Sequence, residues 1–118
     1  MYSEMFLDHF QNPRNVGELP PPAVTVEIHN PACGDILRLS ILWENGRVAE
    51  ARYKVRGCTA SIAAGSALAA WLPGQTPAGL RALTEDQLCE LTGGLPPASR
   101  HAATLCLDAA RKAAAASA

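Results

Sequence analysis

The hydrophobic pattern of the chain predicts an α+β domain, a three-stranded antiparallel β-sheet with helices packed on one of its faces. Three observations carry that expectation. Between positions 24 and 55, apolar and polar residues alternate in three runs, the period of strands with one covered face. The second and third runs are joined by Asn45-Gly46, the pair best suited to a two-residue hairpin turn. From Thr59 onward apolar residues recur at helical spacing, so strands come first and helices after.

In order along the chain, Tyr2, Met5, Phe6 and Phe10 form one apolar stripe of a short first helix. Asn12-Pro13 ends it, because a residue before proline is pushed out of the α region. Pro20-Pro21-Pro22 is a stiff connector. Val24, Val26 and Ile28 define the first strand, with His29 pointing to solvent. Leu37, Leu39, Ile41 and Trp43 define the second, and Ala49, Ala51, Tyr53 and Val55 the third. Thr59 to Trp71 then reads as a helix, with Ile62, Ala63, Ser66, Ala67, Ala70 and Trp71 on its packed side. Pro73-Gly74 closes it. Thr84 and Gln87 have capping-box spacing and open a helix that stops at Gly93-Gly94. After the rigid Leu95-Pro96-Pro97, Ser99 to Ala116 is an alanine-rich helix carrying Ala102, Leu105, Cys106, Ala109 and Ala113 on one face. Trp43 and Trp71 are expected in the core, and His9 on a helix face or in the core. No repeat or linker divides the chain, so residues 1–118 read as one domain.

At 118 residues the chain is long enough to bury a core without disulfides. A hydrophobic fraction of 48% against 18% charged excludes simple disorder. Ten basic against eleven acidic residues leave a net charge of −1, which provides no electrostatic footprint for nucleic acid or an anionic membrane. No apolar run approaches the roughly 18 residues of a membrane span. The opening MYSEMFLDHF has no basic region followed by an apolar stretch, so the expected location is cytoplasmic.

Four cysteines in a reducing compartment point to metal or redox chemistry before disulfides. None pairs as CxxC, which excludes a zinc ribbon or a thioredoxin motif. Cys89 sits in an amphipathic stretch and reads as a small buried hydrophobe. The metal-capable side chains fall at element ends. In Pro31-Ala32-Cys33-Gly34-Asp35, Gly34 frees the backbone for Cys33 and Asp35 to share one space. In Gly57-Cys58-Thr59-Ala60-Ser61, the thiol of Cys58 stands where a strand enters a helix, and the positive end of that helix favours thiolate. His101 stands at the start of the last helix, neutral near pH 7 and able to ligate. Two thiolates, a carboxylate and an imidazole suit a tetrahedral ion or an iron–sulfur centre. Spacing alone leaves open whether they do this or merely pack.

Longer motifs add to this reading. Tyr2-Ser3-Glu4 and Asp8-His9-Phe10-Gln11-Asn12-Pro13-Arg14-Asn15-Val16-Gly17 open the chain. Asn30-Pro31-Ala32-Cys33-Gly34-Asp35 follows, then Ala51-Arg52-Tyr53-Lys54 leading into Gly57-Cys58-Thr59-Ala60-Ser61-Ile62-Ala63, and last Leu95-Pro96-Pro97 with His101. In these motifs and their order the sequence resembles the IscU/NifU N-terminal iron–sulfur cluster scaffold family, including its SufU branch, over nearly the whole chain. The resemblance implies a scaffold and not an enzyme. A transient [2Fe–2S] cluster would be assembled on it from iron and the sulfur of a cysteine desulfurase, then handed to recipient apo-proteins. Cys33, Asp35, Cys58 and His101 map onto the family's cluster or zinc ligands, with Asp35 keeping the cluster labile because carboxylate is a poor ligand for such centres. A homodimer around a shared cluster is a further expectation.

The chain departs from the family at two places. A third cysteine normally follows the histidine directly; here that position is Ala102. Cys106 lies one turn further on the same face, about 5–6 Å away between Cβ atoms, as a substitute ligand or as a packing residue. After Leu95-Pro96-Pro97 the Isc branch continues Val-Lys for Hsp70-type chaperone recognition, whereas Ala98-Ser99 here counts against that docking. The insertion of the SufU branch before the last helix is also absent. The favoured expectation is a cluster scaffold. Its alternatives are a zinc-binding sulfur acceptor serving a cysteine desulfurase, and a degenerate paralogue without productive metal. Arg14 and Arg100 are open between a partner surface and plain solvation.

Overall fold

A computed structural model of the chain describes residues 2–30 and 34–117. Cys33, one of the four expected ligands, lies outside the described residues. The elements run α1 (Glu4–Gln11), β1 (Val24–His29), β2 (Ile36–Glu44), β3 (Arg47–Arg56), α2 (Thr59–Trp71), α3 (Pro77–Ala82), α4 (Glu85–Leu91), a 3-10 turn at Pro97–Ser99, and α5 (Arg100–Ala115). The sheet is antiparallel throughout, in the order β1-β2-β3. The predicted architecture is therefore the observed one.

Alternation places Leu37, Leu39, Ile41, Ala51 and Tyr53 in the core beneath the helices. The opposite face carries ion pairs, with Arg38 bridging Glu18 and Glu27. One register detail departs from strict period 2. Leu42 pairs with Glu50 but Trp43 with Val48, so Ala49 is an extra residue in β3. The bulge turns Val48 inward and leaves Ala49, expected on the covered face, exposed. Trp43 packs at the margin of the core, and its buried Nε1 has no partner among the described residues. The outer edge of β3 is not bare, because Gly17 N–H donates to the Tyr53 carbonyl and Tyr53 N–H to that of Asn15, each at 2.9 Å.

Helix α2 is the pillar of the domain. Residues 63–69 are all buried, because α1, β3, α4 and α5 surround the helix. Its alanines and serines make that approach feasible. Gly65 is required by it: a Cβ there would lie 2.6 Å from Cε2 of Tyr53. Ala70, expected on the packed side, is exposed, and Trp71 is only half-buried. The Tyr53 hydroxyl donates to the Ile62 carbonyl at 2.9 Å, tying β3 to the first turns of α2. Ser66 Oγ accepts from Arg14 N–H at 2.9 Å and lies 2.8 Å from His9 Nδ1, which holds α1 and the following loop on the same helix. Thr84 and Gln87 make the expected capping box. Helix α3 has no counterpart in the sequence reading; it is six residues long, capped by Thr76 and packed through Leu80 alone. Such a short element carries too few apolar positions to reveal a period.

Arg14 pairs with Asp8, and Arg100 with Glu85 and Asp86, all at the surface. Cys89 is buried, as expected.

Candidate metal centre

Three element ends meet at one end of the sheet. Asp35 immediately precedes β2, Gly57 and Cys58 follow β3, and His101 occupies the first turn of α5. The link from β1 to β2 is closed by Gly34 N–H to the Asn30 carbonyl at 2.7 Å and Asn30 N–H to the Asp35 carbonyl at 2.8 Å. This leaves Asp35 at the edge of the core with its side chain only 7% exposed. Cys58 is the N-cap of α2, where a thiol does not close the cap with a side-chain hydrogen bond. His101 is one-third exposed, so the cluster opens to solvent on its imidazole side.

The distances are those of a ligand set. Cys58 Sγ lies 3.4 Å from Asp35 Oδ2 and 3.3 Å from His101 Nε2, and His101 Nε2 is 3.9 Å from Asp35 Oδ2. The three candidate ligand atoms fall within 4.8 Å of one another. One tetrahedral ion with bonds of about 2.0–2.3 Å holds its ligand atoms about 3.3–3.6 Å apart. The carboxylate, thiol and imidazole fit such an ion with small movements.

Asp35, Cys58 and His101 are therefore brought together as the sequence suggests. Cys106 is not part of the cluster. It is fully buried on the core side of α5, and burial pushes its thiol up to about 12, far from the thiolate that metals require. Its role is packing. Ala102 is fully buried as well.

Sequence reasoning assigned no role to Ser61, which the structure places inside the site. Its Oγ donates to Asp35 Oδ2 at 2.5 Å and lies 3.4 Å from Cys58 Sγ. The available signal was its position three residues after Cys58, which puts both on one face of the first turn of α2.

Comparison with known proteins shows the family. Residues 1–117 match the model of the NifU-like N-terminal domain family. The iron–sulfur cluster assembly scaffold protein IscU 1 of Archaeoglobus fulgidus is 36% identical over 113 residues, 96% of this chain and 74% of its own. The scaffold protein IscU of Azotobacter vinelandii is 37% identical over 116 residues, 95% of this chain and 90% of its own. Among solved structures, the N-terminal part of a nitrogen-fixing NifU-like protein from Brucella abortus superposes with a TM-score of 0.74 at 23% identity. That match covers 94% of this chain and 90% of the other, and speaks for the fold.

Proposed function

The chain belongs to the family of NifU-like N-terminal domains, and on that footing we propose that it is an iron–sulfur cluster assembly scaffold, not an enzyme. The observation that carries the reading is the convergence of Asp35, Cys58 and His101 at one open end of the sheet. Iron and sulfide are its cargo. Cys58 supplies a thiolate, His101 an imidazole and Asp35 a carboxylate oxygen, and Cys33 is the proposed fourth ligand. The partners are a sulfur donor and recipient proteins; we take the donor to be a cysteine desulfurase and the cargo to be a [2Fe–2S] cluster. Iron–sulfur clusters are usually closed by thiolates. With Ala102 in place of the family's third cysteine, this chain offers at most two thiolates, Cys33 and Cys58, to the shared site. A weakly held cluster is the expected consequence, which suits transfer.

A second reading has one specific observation in its favour. The spacing of the three donors matches a single tetrahedral ion, so zinc in the same site would support a sulfur-acceptor role beside a desulfurase.

Anaerobic incubation of the zinc-free protein with ferrous iron, cysteine and a cysteine desulfurase separates the two. Sulfide-to-iron charge-transfer bands in the visible, absent from Cys58→Ala, are expected of the scaffold. A colourless protein that takes up only zinc would overturn that reading in favour of the second.

A further inference from the structure

The oxygen donor of the site is held by groups that are not ligands, among them the Ser61 hydroxyl, the bare α-carbon of Gly57 and the Cys58 backbone N–H, which approaches Asp35 Oδ2 at 3.5 Å. Two torsions place an aspartate carboxylate, the Cα–Cβ rotamer and a last torsion whose preferences are broad. In Asp35 that freedom is taken up by these groups. The Ser61 hydroxyl, on a fully buried side chain, donates to Oδ2, the same oxygen that faces Cys58 and His101. From another direction the carboxyl group lies against the bare α-carbon of Gly57. A Cβ at position 57 would stand 2.5 Å from Cγ of Asp35, 2.7 Å from Oδ1 and 2.8 Å from Oδ2. The backbone of Gly57 is outside the left-handed region, so an alanine could adopt it; what excludes the methyl group is the carboxylate already there.

We infer that Ser61 and the open face of Gly57 form a cradle that orients the Asp35 carboxylate, which makes Ser61 a positioning residue for the oxygen donor. The inference rests on the reading of Asp35 as a ligand. The cradle is economical, because Ser61 stands in the first turn of α2 and Gly57 directly precedes the N-cap Cys58. One strand-to-helix junction thus presents the sulfur donor and aims the oxygen donor from the neighbouring strand. Hydrogen-bonded partners of ligating groups typically contribute 10–100-fold to metal affinity, by holding the ligand where the ion needs it.

Ser61→Ala removes the hydroxyl, Gly57→Ala sets a methyl group against the carboxylate, and Ser61→Thr keeps the hydroxyl. Cobalt(II) is the probe, its affinity measured by chelator competition and its geometry by its visible spectrum. The orientation of Asp35 in the metal-free protein is read from the NMR couplings of its β-protons. The expected result is a single Asp35 rotamer in the wild-type chain and averaged couplings in Ser61→Ala and Gly57→Ala. Cobalt affinity should fall about 10–100-fold in both, with helix content unchanged and recovery in Ser61→Thr. A fixed Asp35 with unaltered cobalt affinity and spectrum in both alanine variants would overturn the cradle. A wild-type chain that binds no cobalt, with Asp35 loosened in both variants, would uphold the cradle and overturn the reading of Asp35 as a metal ligand instead.

Discussion

His101 Nε2 lies 3.3 Å from Cys58 Sγ, although 43 residues separate them in the chain. His101 arrives on the first turn of α5 and Cys58 as the N-cap of α2, two helices that pack against each other. The contact is thus a property of helix packing. Removing His101 should affect metal binding far more than folding.

His101→Ala is expected to lose at least the roughly 10–100-fold in cobalt or zinc affinity that outer partners alone contribute. Its thermal unfolding should stay close to wild type, since the imidazole is partly exposed. Chelator competition beside a melting curve checks both halves. Equal affinity in the two proteins would remove His101 from the ligand set.

Ala102→Cys restores the residue that the family pattern carries after the histidine. A reconstituted cluster should then decay more slowly, followed as the loss of visible absorbance in air. The position is fully buried, so one added sulfur should also lower the unfolding free energy, by about 1–3 kcal/mol if the packing cannot relax. An unchanged decay rate would mean that position 102 does not reach the cargo.

Gly65→Ala tests the close approach of α2 to β3. Its methyl group would meet the Tyr53 ring at 2.6 Å, forcing α2 away from β3. A loss of about 1–3 kcal/mol in urea unfolding is expected. Because Tyr53 also ties β3 to Ile62 near the site, cobalt affinity should fall with it.

Stability should decline in alkali for a nameable reason. Burial pushes the Cys106 thiol from 9.0, and the Tyr53 phenol from 10.0, up to about 12 in the folded chain. Above about pH 9 the unfolded chain therefore binds fewer protons than the folded one, so stability present below that pH is lost as pH rises towards 12. Urea midpoints between about pH 8 and about pH 10.5 should fall, and fall less steeply in Cys106→Ala. Parallel slopes would acquit the thiol.

Thiol labelling distinguishes the described cysteines. Cys58 is exposed while Cys89 and Cys106 are buried, and burial raises the pKa of both. Brief alkylation of the native protein should modify Cys58 and spare those two, as peptide mass analysis would reveal. Early labelling of Cys106 would contradict the packing of α5.

Local order was legible in the residues themselves. The alternation of Leu37, Leu39 and Ile41, the Asn45-Gly46 turn and the Thr84–Gln87 capping box depend on neighbours within a few positions, and the structure contains all three. Asp35, Cys58 and His101 could be nominated because their side-chain chemistry and their positions at element ends are sequence properties. Only the tertiary structure decided the rest. Whether Ala49 or Val48 faces inward depends on a bulge set by pairing with β2, and Ala70 is exposed near the end of α2 although its local spacing matches that of its buried neighbours. Cys106 and Cys58 are the same residue type, yet α5 turns one into the core and the start of α2 leaves the other in the open. Ser61 meets Asp35 across 26 positions. A side chain's identity states what it can do, while burial and long-range contacts, which no local period encodes, determine what it touches.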